Sequence, residues 1–179
     1  MKLLFFDETQ DVKFTDYLGI TCVIIDSTHY PIIKNNFQKI LIDNKWDISQ
    51  EFKGSCLFSI SKGDRKISID NRITIASDIL RLNKSKANSR IKFYFVKAKS
   101  ENAKDTYLKI IPLLLDKILP KPEKKSGKNL ITLNFDHRGD ISVSEFREVS
   151  LKILKKKEYL LFEDIRKAES NFETVGILY

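Results

Sequence analysis

The sequence predicts an α/β protein, with a mixed sheet that opens on a hairpin and carries helices on both faces. Three observations lead there. Two apolar runs, 2–7 and 17–26, lie close together at the start of the chain. Beyond them strand-like runs alternate with segments of helical periodicity, in the order β-β-α-(α)-β-α-β-α-β, the pattern of helices layered on a sheet. The early strands are apolar without interruption, as strands covered on both faces are. No internal repeat and no second compositional regime is visible, so residues 1–179 read as one domain.

The elements follow in order. "KLLFFD" is the first strand and "YLGITCVIID", rich in β-branched residues, the second. "DVKFTD" between them is short enough for an antiparallel hairpin. In "STHYPIIKNNFQKILIDNKW", Ser27 or Thr28 offers a cap, and Ile33, Phe37, Ile40 and Leu41 recur at helical spacing. "ISIDNRITIASDILRLNKS" is a second amphipathic helix with Ile69, Ile73, Ala76 and Ile79/Leu80 on one face.

"RIKFYFVKAK" is a strand with Ile91, Phe93 and Phe95 on one side. The segment 100–119 is a third helix, opened by Ser100, with Tyr107, Ile110, Ile111, Leu114 and Ile118 inward; Pro112 should kink or break it. The Lys/Pro/Gly stretch 120–128 is a loop, "NLITLNFD" a strand ending at Asp136, and "SVSEFREVSLKILKKK" a helix capped by Ser142 or Ser144. A further strand lies in "EYLLFEDIRKAES".

Composition narrows the class. With 42% hydrophobic and 31% charged residues and only 4 prolines, the chain can fold around a sizeable core. No apolar run approaches the roughly 20 residues that span a bilayer. The N-terminus turns acidic at Asp7, short of a secretory signal, which reads as cytoplasmic with no membrane partner. Cys22 and Cys56 are far apart; Cys22 reads as a small core residue, a disulfide is not expected, and two distant Cys with two distant His make no zinc site. The net charge of +8 admits polyanion binding, although the lysines of 117–128 and 151–159 can equally be solvated loop and helix faces.

The chain has no Gly-rich phosphate loop, no GxSxG elbow and no Cys/His nucleophile arrangement. Its chemistry must lie elsewhere. "LLFFDE" and "ITLNFDH" share one form, a strand run finishing in Phe-Asp. Were the two strands parallel neighbours, Asp7 and Asp136 would lie side by side. Two carboxylates that close repel unless a cation lies between them, and hard oxygen donors suit Mg²⁺ or Mn²⁺. The bland alternative is that both are turn acids. His137 and Arg138 follow directly, and the histidine reads as an edge residue with an ordinary hydrogen bond or as a proton shuttle. Phe93, Tyr94 and Phe95 read first as core packing and second as a base-stacking surface.

"FFDETQD", "YLGITCVII", "EFKGS", the strand ending in Asp136 and "AESNFETVGIL" together resemble DUF family 3800, an uncharacterised group of ribonuclease H-like fold. That family opens on a strand reading roughly [FY]-[IV]-D-E-S-G and later has an E-[LI/F]-K-[GA]-S segment. The resemblance implies that Asp7 bridges metals, that Glu8 is the adjacent motif acid, and that Glu51 and Asp136 complete the ligands. Lys53 and Arg138 would meet the substrate phosphate. Thr9-Gln10 stands for the commoner Ser-Gly, and the family's final Ala-Asp on its last helix would fall beyond Tyr179, leaving that helix cut short. The implied activity is a two-metal Mg²⁺/Mn²⁺-dependent nuclease, a hydrolase acting on RNA or DNA, of a kind found near mobile elements and defence functions in bacteria. The alternative is a non-catalytic ribonuclease H-like module that binds nucleic acid or a protein partner. The oligomeric state is left open, a homodimer included.

Overall fold

The computed structural model describes residues 1–10, 16–48, 52, 67–82, 91–120, 129–136, 140–162 and 165–168. In chain order the elements are β1 (Lys2–Gln10), β2 (Tyr17–Asp26), α1 (Tyr30–Asp43), α2 (Ile69–Arg81), β3 (Ile91–Lys99), α3 (Ala103–Ile118), β4 (Leu130–Asp136), α4 (Val143–Lys156), β5 (Leu160–Leu161) and β6 (Arg166–Ala168). The chain divides into two units, Met1–Ile24 with Phe93–Glu169, and Ile25–Lys92 with Ser170–Tyr179. Among the described residues no helix is long and apolar enough to cross a membrane.

The first unit is built on the sheet, whose strand order is β3-β2-β1-β4-β5, with β6 also paired to β4. Residues 11–16 join neighbours β1 and β2, too few for a crossover, so the pair is antiparallel. The Ser100 N–H donates to the Asp16 carbonyl at 2.6 Å, so the end of β3 lies at the start of β2 and these strands also run in opposite directions. The other side of β1 is parallel to β4, and β4 is parallel to β5 and β6. Both β5 and β6 must use the same edge of β4, since β1 occupies the other.

Even-numbered positions of β1 and β2 face the core: Leu4 and Phe6, then Leu18, Ile20, Cys22 and Ile24. Burial pushes the Cys22 thiol well up from its ordinary pKa, as expected of a small core residue. From β4 come Ile131, Leu133 and Phe135. Against them lies the stripe Tyr107, Ile110, Ile111, Leu114, Leu115 and Ile118 of α3, with Phe146 and Leu154 of α4. Period two meets period 3.6 here, as the sequence predicts. Phe5 and Val23, on the alternate positions, are buried as well.

Helix α3 starts two residues later than expected. Asn102, not Ser100, is its cap, its Oδ1 accepting from the Asp105 N–H at 3.1 Å, while the Ser100 N–H is bonded to the Asp16 carbonyl. The helix runs unbroken through Pro112. Of the two serines offered as the cap of α4, Ser142 takes it: Ser142 Oγ accepts from the Glu145 N–H and the Glu145 carboxylate accepts from the Ser142 N–H.

In the second unit α1 and α2 enclose a smaller core of Phe37, Leu41, Trp46, Phe52, Ile67, Ile75 and Leu82. Neither Ser27 nor Thr28 caps α1. His29 holds the cap position without a side-chain bond to the helix; its Nδ1 lies 2.8 Å from Thr28 Oγ1, its N–H is drawn back to the Asp26 carbonyl at 2.8 Å, and Pro31 sets the first turn. In α2 the predicted face holds for Ala76 and Ile79, which pack on this core, and fails for the rest. Ile69, Ile73 and Leu80 are 71%, 53% and 66% exposed, while Ile75 is buried with Ala76 and Ile79 packed beside it. The helix carries two isoleucine stripes, and packing against the aromatic cluster chooses between them.

Helices α1 and α4 end alike. Lys45 (φ 60°) and Glu158 (φ 57°) take the left-handed conformation. The next residue then bonds back across the turn, Trp46 N–H to the Leu41 carbonyl and Tyr159 N–H to the Leu154 carbonyl, and its ring is buried.

Candidate functional site

The parallel pairing of β1 with β4 runs Lys2↔Ile131, Leu3↔Thr132, Leu4↔Leu133, Phe5↔Asn134 and Phe6↔Phe135. One residue beyond the last pair on each strand stands an aspartate, Asp7 on β1 and Asp136 on β4. The condition set by the sequence, parallel neighbours in matching register, is therefore met along the backbone. Asp136 in turn pairs with Ala168 of β6, so the chain ends β4 between strands on both sides.

Two contacts hold these strand ends in place. The ring of Phe146 stacks on Phe135, with centroids 4.1 Å apart and planes 19° from parallel. It meets Phe6 edge-on at 5.9 Å and Tyr107 at 6.2 Å. One ring on α4 thus contacts both residues that precede the aspartates. Its own position is set a residue earlier, where Glu145 joins the capping box and accepts a 2.7 Å ion pair from Lys104 of α3. Lys104 first, then the Ser142 amide and hydroxyl, hold the Glu145 carboxyl at about 2, below its ordinary 4.5.

The second contact is Asn134, a buried polar side chain of β4. Its Nδ2 donates to the Leu4 carbonyl at 3.1 Å and to Thr132 Oγ1 at 3.3 Å. It cross-links β4 to β1 just before the strand ends. Sequence reasoning missed both Asn134 and Phe146. The signal for Asn134 was a lone amide within "LITLNFD"; Phe146 gave none, being one apolar residue of an amphipathic helix.

β1 continues to Gln10, so Asp7 and Glu8 fall on opposite faces of the strand. Glu8 shares its side with Leu4 and Phe6, Asp7 with Phe5. Both are half-buried, and Glu8 Oε2 is sealed from solvent. The other predicted residues are less fully placed. Asp136 is described through its backbone, while Glu51, Lys53, His137 and Arg138 lie outside the described residues. Phe52, between Glu51 and Lys53, is buried edge-on against Phe37 at 5.6 Å and Trp46 at 5.1 Å. Phe52 is thus a core residue of the second unit. Among the described residues no group of three or more metal-ligating side chains comes together.

The lysine run of α4 is partly engaged. Lys156 and Lys157 lie 3.3 and 3.5 Å from the Asp116 carboxylate, and Lys157 Nζ also donates to the Asp116 carbonyl at 2.6 Å. Lys156 leads in holding the Asp116 carboxyl below the usual carboxylate range. On β3 the side that carries Ile91, Phe93 and Phe95 is divided: Ile91 is buried, Phe93 half-buried and Phe95 63% exposed, while Tyr94, Val96 and Ala98 on the other side pack on the core.

A mixed sheet in the order β3-β2-β1-β4-β5, with an antiparallel half joined to a parallel half between β1 and β4, is the ribonuclease H-like fold. The chain is similar to the crystal structure of ribonuclease H2 from Pyrococcus horikoshii OT3, at 12% identity over 99% of this chain and 68% of that one, with a TM-score of 0.53. It is also similar, at 9% identity and a TM-score of 0.46, to a chain of the PCNA:RNase HII complex from Archaeoglobus fulgidus, covering 99% of this chain and 69% of that one. No family model and no curated protein matches the chain.

Proposed function

We propose that the protein is a metal-dependent phosphodiesterase that hydrolyses a nucleic-acid backbone. The observation that carries this reading is the β1–β4 register, which brings two aspartate-bearing positions to the place just beyond the last parallel pair, at the end of β4. Ligand sites of open α/β sheets favour such strand ends. The donor set there is carboxylate oxygen, which fits a hard divalent cation, Mg²⁺ or Mn²⁺.

In this reading Asp7 and Asp136 hold the cations, with Glu51 as a further ligand. Lys53 and Arg138 offer positive charge to the substrate phosphate. Bound divalent cations in such a site supply an activated water and neutralise charge on the scissile group. The protein's own part is to keep the two strand ends in register, through the Phe146 ring and the Asn134 amide. Glu8, on the helix-covered side of β1, is a further acidic group near the site but across the strand from Asp7. The resemblance to DUF family 3800 supports the same assignment.

The test is cleavage of labelled RNA, DNA and hybrid duplexes with Mg²⁺ or Mn²⁺, comparing wild type with Asp7→Asn, Asp136→Asn and Glu51→Gln. Metal-dependent cutting by wild type and its loss in the variants is the expected result. Equal activity in all four proteins, or none in wild type, would sink the assignment; nucleic-acid binding without cutting would point to the non-catalytic module.

A further inference from the structure

The later half of β3 carries a surface that the site above does not use. Phe93, Phe95, Lys97 and Lys99 occupy alternate positions of one strand and so share a side, spaced by roughly 6.6 Å per step. Phe95 is 63% exposed, and Lys97 and Lys99 are exposed beside it. On the neighbouring strand Tyr17 is 40% exposed, and the Lys97 ammonium sits 4.3 Å from the centre of its ring. The 2.6 Å bond from Ser100 to Asp16 pins these two strand ends together. Aromatic rings and cations therefore stand in one row on a fixed sheet edge.

Lysines alone would be explained as guards against edge pairing, since β3 lies at the end of the sheet. That account leaves Phe95 unexplained, because the other three apolar residues that follow Phe93 on this strand, Tyr94, Val96 and Ala98, found places against the core. An exposed aromatic followed by two cations at successive steps complements a chain that offers flat faces and negative charges in alternation. We propose that the Tyr17–Phe95–Lys97–Lys99 surface binds single-stranded nucleic acid, with a base stacked on Phe95 and backbone phosphates at Lys97 and Lys99. A single strand is required because a paired duplex buries the faces of its bases against each other. The cation held over Tyr17 keeps one charge beside the stacking ring. The identity of the polymer rests on the proposed function; the geometry of the surface does not.

The experiment measures fluorescence anisotropy of labelled oligo-dT and oligo-U in EDTA, where no cutting occurs, with a blunt duplex as reference. The full chain is compared with Phe95→Ala, Phe95→Trp and the double variant Lys97→Ala/Lys99→Ala, each checked by circular dichroism for retained fold. Phe95→Ala should weaken single-strand binding by about 5- to 150-fold, the range of one lost base stack, and leave duplex binding unchanged. Phe95→Trp should restore it. The double lysine variant should reduce the slope of log K against log salt by about 1.4, the share of two phosphates on a single strand. Single-strand binding that Phe95→Ala leaves intact, or equal losses on single strand and duplex, would overturn the proposal, as would absence of any oligonucleotide binding. Failure of the nuclease reading shows separately, as no metal-dependent cutting by wild type whatever the anisotropy reads.

Discussion

Phe135 of β4 and Phe146 of α4 lie face to face, 4.1 Å between ring centres, directly behind the position of Asp136. The same Phe146 ring reaches Phe6, directly behind Asp7. Each aspartate is thus preceded by a phenylalanine that the helix layer holds down, which gives the repeated Phe-Asp of the sequence a structural meaning. The phenylalanine is the anchor and the aspartate is what the anchored strand end presents.

Phe146→Ala should therefore cost about 3–5 kcal/mol, the usual price of a large buried aromatic, because three ring contacts go at once. Urea unfolding should show a lower midpoint with an unchanged slope. A loss under 1 kcal/mol would mean that the ring does not bind the two strands together.

Asn134→Val removes the donor that reaches the Leu4 carbonyl. A buried acceptor deprived of a bond costs about 1–3 kcal/mol. Hydrogen exchange of the β1 amides should speed up in this variant beyond what the global stability change accounts for, since the lost link is local to β1 and β4.

Acid should weaken the start of α4. The Glu145 carboxyl is held at about 2 by Lys104 and Ser142, below its ordinary 4.5, so its ionised form is favoured in the folded state. A depressed carboxyl contributes stability that is whole above 4.5 and is lost as the pH falls towards 2. The urea midpoints of wild type and Glu145→Gln should differ above pH 4.5 and converge below it. Ser142→Ala, which removes the cap hydroxyl, should cost about 1 kcal/mol near neutrality.

Lys45 and Glu158 hold left-handed backbone that glycine adopts without a Cβ clash. Lys45→Gly and Glu158→Gly should each stabilise the fold by up to about 1 kcal/mol, read as a rise in melting temperature. A fall on both substitutions would show that side-chain contacts outweigh the backbone strain.

Cys22 is buried in the sheet core and its thiol is pushed well up by burial. In a Cys56→Ser background it should resist a thiol reagent in the native protein and react fully once unfolded. Rapid native labelling would contradict its placement on β2.

Local patterns carried much of this protein. The uninterrupted apolar strands, the inward stripe of α3 and a serine cap on α4 depend on neighbours within a few residues, and the sequence alone determined them; the choice of Ser142 over Ser144 and its box with Glu145 came from the structure. So did the two Phe-Asp endings, as candidates. What only the tertiary structure decided is long-range. Residues 2–6 could pair with 131–135 in no way visible locally, because strand pairing at that separation leaves no mark in either segment. The buried stripe of α2 and the inward side of β3 were undetermined for a related reason. Both elements carry apolar residues on two faces, so periodicity admits either choice, and the partner surface selects one. Phe95 was left in solvent by that selection, and the positions of Asp7 and Asp136 were set one residue beyond the last β1–β4 pair by the register of parallel strands, whose hydrogen bonds no local turn could set.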